Sequence, residues 1–158
     1  MTRHEDINIE GWWTINFMGN YDGLGCVICR IIEIKEYEPQ TDGDKKYLFD
    51  LRDKNDIHKY KFKQAIGIVN QNEIKDWNII DDDGANYSNE LEKVTGQISL
   101  DNRFIKLYSS KLLKDSLIRQ KEFEENPKNE GKKYQKDETD EGMMCLFEKL
   151  DMINKPIE

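Results

Sequence analysis

The side chains best suited to chemistry in this chain are scattered, and each has a plain structural alternative. Arg30 is the most informative polar residue. It lies in the run Cys26-Val27-Ile28-Cys29-Arg30-Ile31-Ile32-Glu33-Ile34, where the two-residue strand period puts it on one face with Cys26, Ile28, Ile32 and Ile34. A guanidinium on an apolar face must be paired or hydrogen-bonded, so Arg30 reads as an interior anchor for an anionic ligand, as half of a structural ion pair with an internal Asp or Glu, or as a residue that a strand bulge turns outward. Tyr47, Phe49, Tyr60, Phe62 and Trp77 form a second candidate group, able to line an aromatic cavity for a flat or apolar ligand. Aromatic residues at strand spacing also build ordinary cores.

Other constellations are less complete. Cys26-Val27-Ile28-Cys29 has redox or zinc spacing, but residues three apart on a strand point to opposite faces. No second pair follows, and the only histidines are His4 and His58. Buried apolar thiols are the expected outcome, with no metal and no cofactor. Asp81-Asp82-Asp83-Gly84 with Glu90 invites a calcium comparison. Setting Gly84 at the sixth position of a helix-loop-helix site places Glu90 correctly at the twelfth but puts Ile79 at the first, where an oxygen ligand is required. There is no Gly-x-Ser-x-Gly, Walker-type loop or His-Glu-x-x-His. The expectation is a non-enzymatic protein.

The elements that must position these residues follow from the same periodicity. Glu10-Gly11-Trp12-Trp13-Thr14-Ile15-Asn16-Phe17 alternates, with Trp13, Ile15 and Phe17 on one face, and predicts a first strand over about 11–18. Gly- and Asn-rich residues 19–25 reverse the chain. A second strand is expected over about 25–37, and a third carries Tyr47, Phe49 and Leu51. A fourth carries His58, Tyr60 and Phe62. Ala65 to Val69 forms a short strand, separate or continuous with the fourth through a bend at Gly67, and Ile74 to Ile80 forms another around Trp77. In the hairpin over 92–108, Ile98 is expected opposite Ile105 and Gly96 opposite Leu107, across a turn at Asp101-Asn102. Residues 109–126 read as helix or strand, the helix being capped by Ser109 or Ser110 and stopped by Pro127. The charge-dense stretch 126–142, with only Tyr134 to bury, is expected to be a mobile loop. Met143 to Met152 closes the chain as a last strand.

These elements define a mostly β single domain over 1–158: an antiparallel meander closing into a small barrel or a sandwich, with at most one short helix. Gly11-Trp12-Trp13 on the first strand resembles the Gly-x-Trp opening of lipocalins and related calycin barrels. The resemblance implies that Trp13 plugs the closed end, that Arg103 on a late strand lies over it, and that a small hydrophobic or anionic ligand is carried inside. The family's Thr-Asp-Tyr-type loop motif has no counterpart here.

The chain has 158 residues and a net charge of −8. That balance argues against direct nucleic-acid or anionic-membrane binding, since phosphate surfaces call for a basic patch. No apolar run reaches the ~20 residues of a membrane span, and Met1-Thr2-Arg3-His4-Glu5-Asp6 lacks a secretion-signal core. Three cysteines do not suit a closed disulfide framework. A cytoplasmic location is expected. The leading functional expectation is an acidic inhibitor- or immunity-type module acting through a protein partner, a basic one by charge; the alternative is the calycin-like carrier.

Overall fold

A computed structural model describes residues 7–18, 27–52, 63–80, 86–87, 93–136 and 138–150. Its strands are β1 (Gly11–Phe17), β2 (Val27–Glu33), β3 (Lys45–Leu51), β4 (Gln64–Asn70), β5 (Glu73–Ile80), β6 (Asn86–Tyr87), β7 (Val94–Ile98), β8 (Phe104–Ser109) and β9 (Met143–Lys149). One helix, α1 (Ser110–Glu125), and two short 3-10 turns, Pro127–Asn129 and Glu138–Glu141, separate β8 from β9. Each strand pairs antiparallel with its neighbours; β9 returns to β1 and β4 pairs with β5. The result is a closed barrel of eight strands, with the two-residue β6 attached to β5. Closure removes the free edges that an open meander would leave.

The alternation visible in the sequence becomes inside and outside. Trp13 and Ile15, then Val27, Cys29 and Ile31, then Tyr47, Phe49 and Leu51 are buried on the first three strands. Val94, Ile98, Ile105 and Leu107 are buried on the expected hairpin, whose register pairs Ile98 with Ile105 and Gly96 with Leu107. Its turn is wider than two residues. The Ser99 N–H donates to the Phe104 carbonyl at 2.9 Å, and Asn102 takes a positive φ of 60°.

One departure from strict alternation and two inward glycines shape the centre. Ile74 and Trp77 are three residues apart, yet both are buried. Asp76, with φ 52°, makes this possible: the β4–β5 register shifts between Ile66 and Ile68, and the extra residue turns Trp77 back inward. At Gly67 and Gly96 the missing side chains admit their neighbours. A Cβ on Gly67 would meet Ile74 Cγ2 at 2.9 Å, and one on Gly96 would meet Leu107 Cδ2 at 2.8 Å and Ile74 Cβ at 3.0 Å.

β3 pairs with β4 from Asp50–Gln64 to Lys45–Val69, so its described partner is the apolar stretch that the periodicity set apart as a short strand. The expected fourth strand, with His58, Tyr60 and Phe62, lies outside the described residues. At the start of β3, buried Asp44 accepts from the Asn70 amide at 2.7 Å and the Thr41 N–H at 3.1 Å, with Lys75 at 3.4 Å. The Asn70 bond above all, helped by Thr41 and Lys75, holds the Asp44 carboxyl below its ordinary pKa against the effect of burial. This staple ties the 34–44 connection to the β4–β5 hairpin.

Gly96→Ala tests the packing. Leu107 can swing away from the new methyl, but the Cβ of Ile74 cannot, so the substitution is expected to destabilise the protein by about 1–3 kcal/mol in denaturant unfolding. An unchanged midpoint would show that the centre has slack.

Candidate functional site

Strand direction alone sorts the connections onto two ends. Connections 18–26, 52–63, 81–93 and 110–142 leave one end, which carries α1; connections 34–44, 71–72 and 99–103 leave the other. The three longest are all at the α1 end.

The opposite end holds Trp13. Its ring is fully buried and its Nε1 donates to the Ile9 carbonyl at 2.9 Å, drawing Ile7 and Ile9 into the core. Lys149 of β9 lies over the ring, with Nζ 5.8 Å from its centroid. Arg103, the residue expected over Trp13, is an exposed residue just before β8 whose carbonyl accepts the Lys149 N–H at 2.9 Å.

Among the proposed ligand contacts, Tyr47, Phe49 and Trp77 point into the barrel and are fully or almost fully buried. Phe49 meets Trp77 at 4.9 Å between centroids and meets Phe147, across the barrel on β9, edge-on at 5.9 Å. These rings pack on one another. The Tyr47 hydroxyl is buried beside the Ile9 backbone without a well-formed hydrogen bond; burial, with the negative charges of Glu33 and Glu10, pushes its pKa up to about 12. It is a neutral phenol. Tyr60 and Phe62 lie outside the described residues.

Arg30 is not in the interior. The buried face of β2 is Val27, Cys29 and Ile31, and Arg30 is exposed on the outer wall. Both faces of this strand are apolar, so periodicity alone could not say which one turned inward; solvation of the guanidinium decides it. There it pairs with Trp12 on β1 and Asp50 on β3. Arg30 and Arg52 each lie 5.5 Å from the Trp12 ring centroid, a cation–π arrangement that leaves Trp12 only 9% exposed. Asp50 accepts from the Gln64 amide at 3.1 Å. This is the chemistry of a covered outer tryptophan.

Cys29 and Cys145 are buried. Burial pushes the Cys29 thiol far above its ordinary pKa, so it stays protonated and unreactive. Cys26, His58, Asp81 to Gly84 and Glu90 lie outside the described residues. Among the described residues, no group of His, Cys, Asp and Glu is placed to hold a metal ion, and no helix is long and apolar enough to cross a membrane.

The densest polar cluster sits at the α1 end, and sequence reasoning missed it. Ser109 caps α1 by accepting the Leu112 N–H at 3.2 Å, and Pro127 begins the turn that follows the helix, so of residues 109–126 the stretch Ser110–Glu125 is helical, one of the two readings the sequence allowed. Midway along, fully buried Ser116 hydrogen-bonds the Asp140 carboxylate. Asp140 also accepts from the Tyr134 hydroxyl at 3.0 Å and faces Arg119 at 3.7 Å, while Gln120 donates to the Ser116 hydroxyl at 3.0 Å. Phe123 meets Tyr134 edge-on at 5.5 Å. These bonds fold 127–141 back onto α1 where a loop without such ties was expected. The one sequence signal was Tyr134, the only aromatic residue of 126–142.

No known protein family matches the chain, and neither a curated protein nor a solved structure matches it.

Two substitutions examine these assignments. Tyr47→Phe removes a hydroxyl that costs desolvation and returns little, so stability should be unchanged or higher by about 1 kcal/mol; a loss beyond that would assign the hydroxyl a partner. Asp140→Ala is expected to cost about 1–3 kcal/mol and to accelerate amide exchange in α1 while leaving the barrel strands protected. Equal acceleration in both would make α1 part of the barrel's cooperative unit.

Proposed function

We propose that this protein is a non-enzymatic binding module that acts through a protein partner, recognising it with the α1 end of the barrel. The observation that carries the reading is topological: the three longest connections and the helix emerge from one end of a closed, hydrogen-bonded scaffold. Recognition surfaces are commonly built this way, from variable loops held by a rigid frame. The ring contacts of Phe49 with Trp77 and Phe147 favour this over the calycin-like carrier, since those side chains spend their surface on each other. A net charge of −8 favours a partner with a basic face, and an odd total of three cysteines accords with work in the cytoplasm. The likeness to lipocalins is then one of barrel architecture and of the buried tryptophan on the first strand.

Photocrosslinking side chains placed singly at exposed positions distinguish the ends. In the producing cells, a crosslinker at Lys93 or Gln135, at the α1 end, should yield one discrete adduct with a second protein. A crosslinker at Glu38 or Asp101, at the Trp13 end, should not. Equal adducts from both ends, or none at Lys93 and Gln135, would reject the assignment.

A further inference from the structure

α1 is built the wrong way round for a helix that serves only its own domain. Its inward side meets the rest of the chain through Ser116, which is fully buried, through Gln120, through Leu112, half-buried against the barrel core, and through Phe123 against Tyr134. Leu113, Leu117 and Ile118 face water, 42%, 58% and 56% exposed. A surface helix ordinarily buries such residues and leaves serine and glutamine outside. Single exposed apolar side chains need no explanation; three at i, i+4 and i+5, on a helix whose one fully buried residue is a serine, do.

The charges are reversed too. Exposed Lys111 and Lys114 stand near the N-terminus, and exposed Glu122, Glu124 and Glu125 at the C-terminus; the first turn has no acidic residue and the last no basic one. The helix dipole favours the opposite order at both ends. An isolated α1 is therefore unfavourable in its apolar face and in its charge order.

The geometry points to a second copy of this chain as the occupant of that face, α1 against α1, antiparallel across a twofold axis. Leu117 and Ile118 are the two central residues of Ser110–Glu125, so an axis near them covers the apolar cluster of both copies. The same axis brings Lys111 and Lys114 of one copy opposite the glutamate-rich last turns of the other, twice by symmetry. A twofold interface must be self-complementary in this sense. An anionic lipid surface fits less well: the three glutamates, on a protein of net charge −8, would oppose it. One pair of helices of this length covers less than the ~800 Å² per partner of a standard interface, so the dimer is weak, with a Kd on the order of 10–500 µM, and weakened by salt.

Sedimentation equilibrium of the full chain, from about 5 µM to about 1 mM so as to span that range, is the test. The wild type should pass from monomer to dimer, and Leu117→Ser with Ile118→Ser should remain monomeric. Lys111→Glu with Lys114→Glu should be monomeric alone, as should Glu122→Lys with Glu124→Lys and Glu125→Lys. Mixed in equal amounts, these two charge variants should form a heterodimer, because each supplies the sign the other lacks. Circular dichroism and thermal melting verify that every variant is folded; since the changes are all at exposed positions, a folded variant is expected in each case, and Lys111→Glu and Glu125→Lys alone serve as milder replacements. A wild type monomeric throughout, a dimer that survives loss of Leu117 and Ile118, or charge variants that do not pair on mixing would each overturn the proposal. None of these outcomes touches the partner-binding reading, which the crosslinking at Lys93 and Gln135 decides separately.

Discussion

Backbone pairing between β9 and β1, together with that between β4 and β5, turns a curled meander into a barrel, and the rest of the molecule follows from that closure. A closed sheet has one inside, so each strand must offer one face to it, and the volume enclosed is small enough for side chains to fill. Trp13, Tyr47, Phe49 and Phe147 are the largest of those that are fully buried. Gly67 leaves room for Phe49, Trp77 and Ile74, Gly96 for Leu107 and Ile74, and the irregularity at Asp76 returns Trp77 to the interior. Backbone regularity is given up at one residue so that a large ring can be accommodated.

Closure also decides where variation can accumulate. In an up-and-down barrel alternate connections leave opposite ends. Here the Trp13 end is occupied by the Ile7 to Ile9 segment, by a turn at Gln71-Asn72 and by the Asp44 staple, whereas the longest connections share the other end. α1 lies within one of these, between two strands that pair directly with each other. The barrel is complete without it. The helix joins the rest of the chain through hydroxyl, amide and carboxylate groups and through Leu112, while Leu113 and Leu117 are left on the outside.

The acidic residues divide into two populations by the same logic. Among the described residues most are exposed and contribute solubility and long-range field. Asp44 and Asp140 are buried, and each is held by several donors, as a carboxylate withdrawn from water requires. Both fasten connections rather than strands. Neither could be singled out among 32 acidic residues by type or spacing, because what distinguishes them is the company they keep after folding.

Local pattern by itself determined the strands with one clean apolar face, the mostly β composition and the register of Gly96 with Leu107 and Ile98 with Ile105, and it narrowed a cap for 109–126 to Ser109 or Ser110, since each depends on neighbours within a few residues or across one turn. Tertiary structure alone decided which face of β2 turned inward and so put Arg30 outside. It also brought Trp77 in beside Ile74, contrary to a two-residue rhythm, and joined Ser116 to Asp140 across 24 positions of chain. In these cases the deciding partner is distant in sequence. A periodicity reports that a strand has two sides, but only the closed barrel determines which of them water can reach.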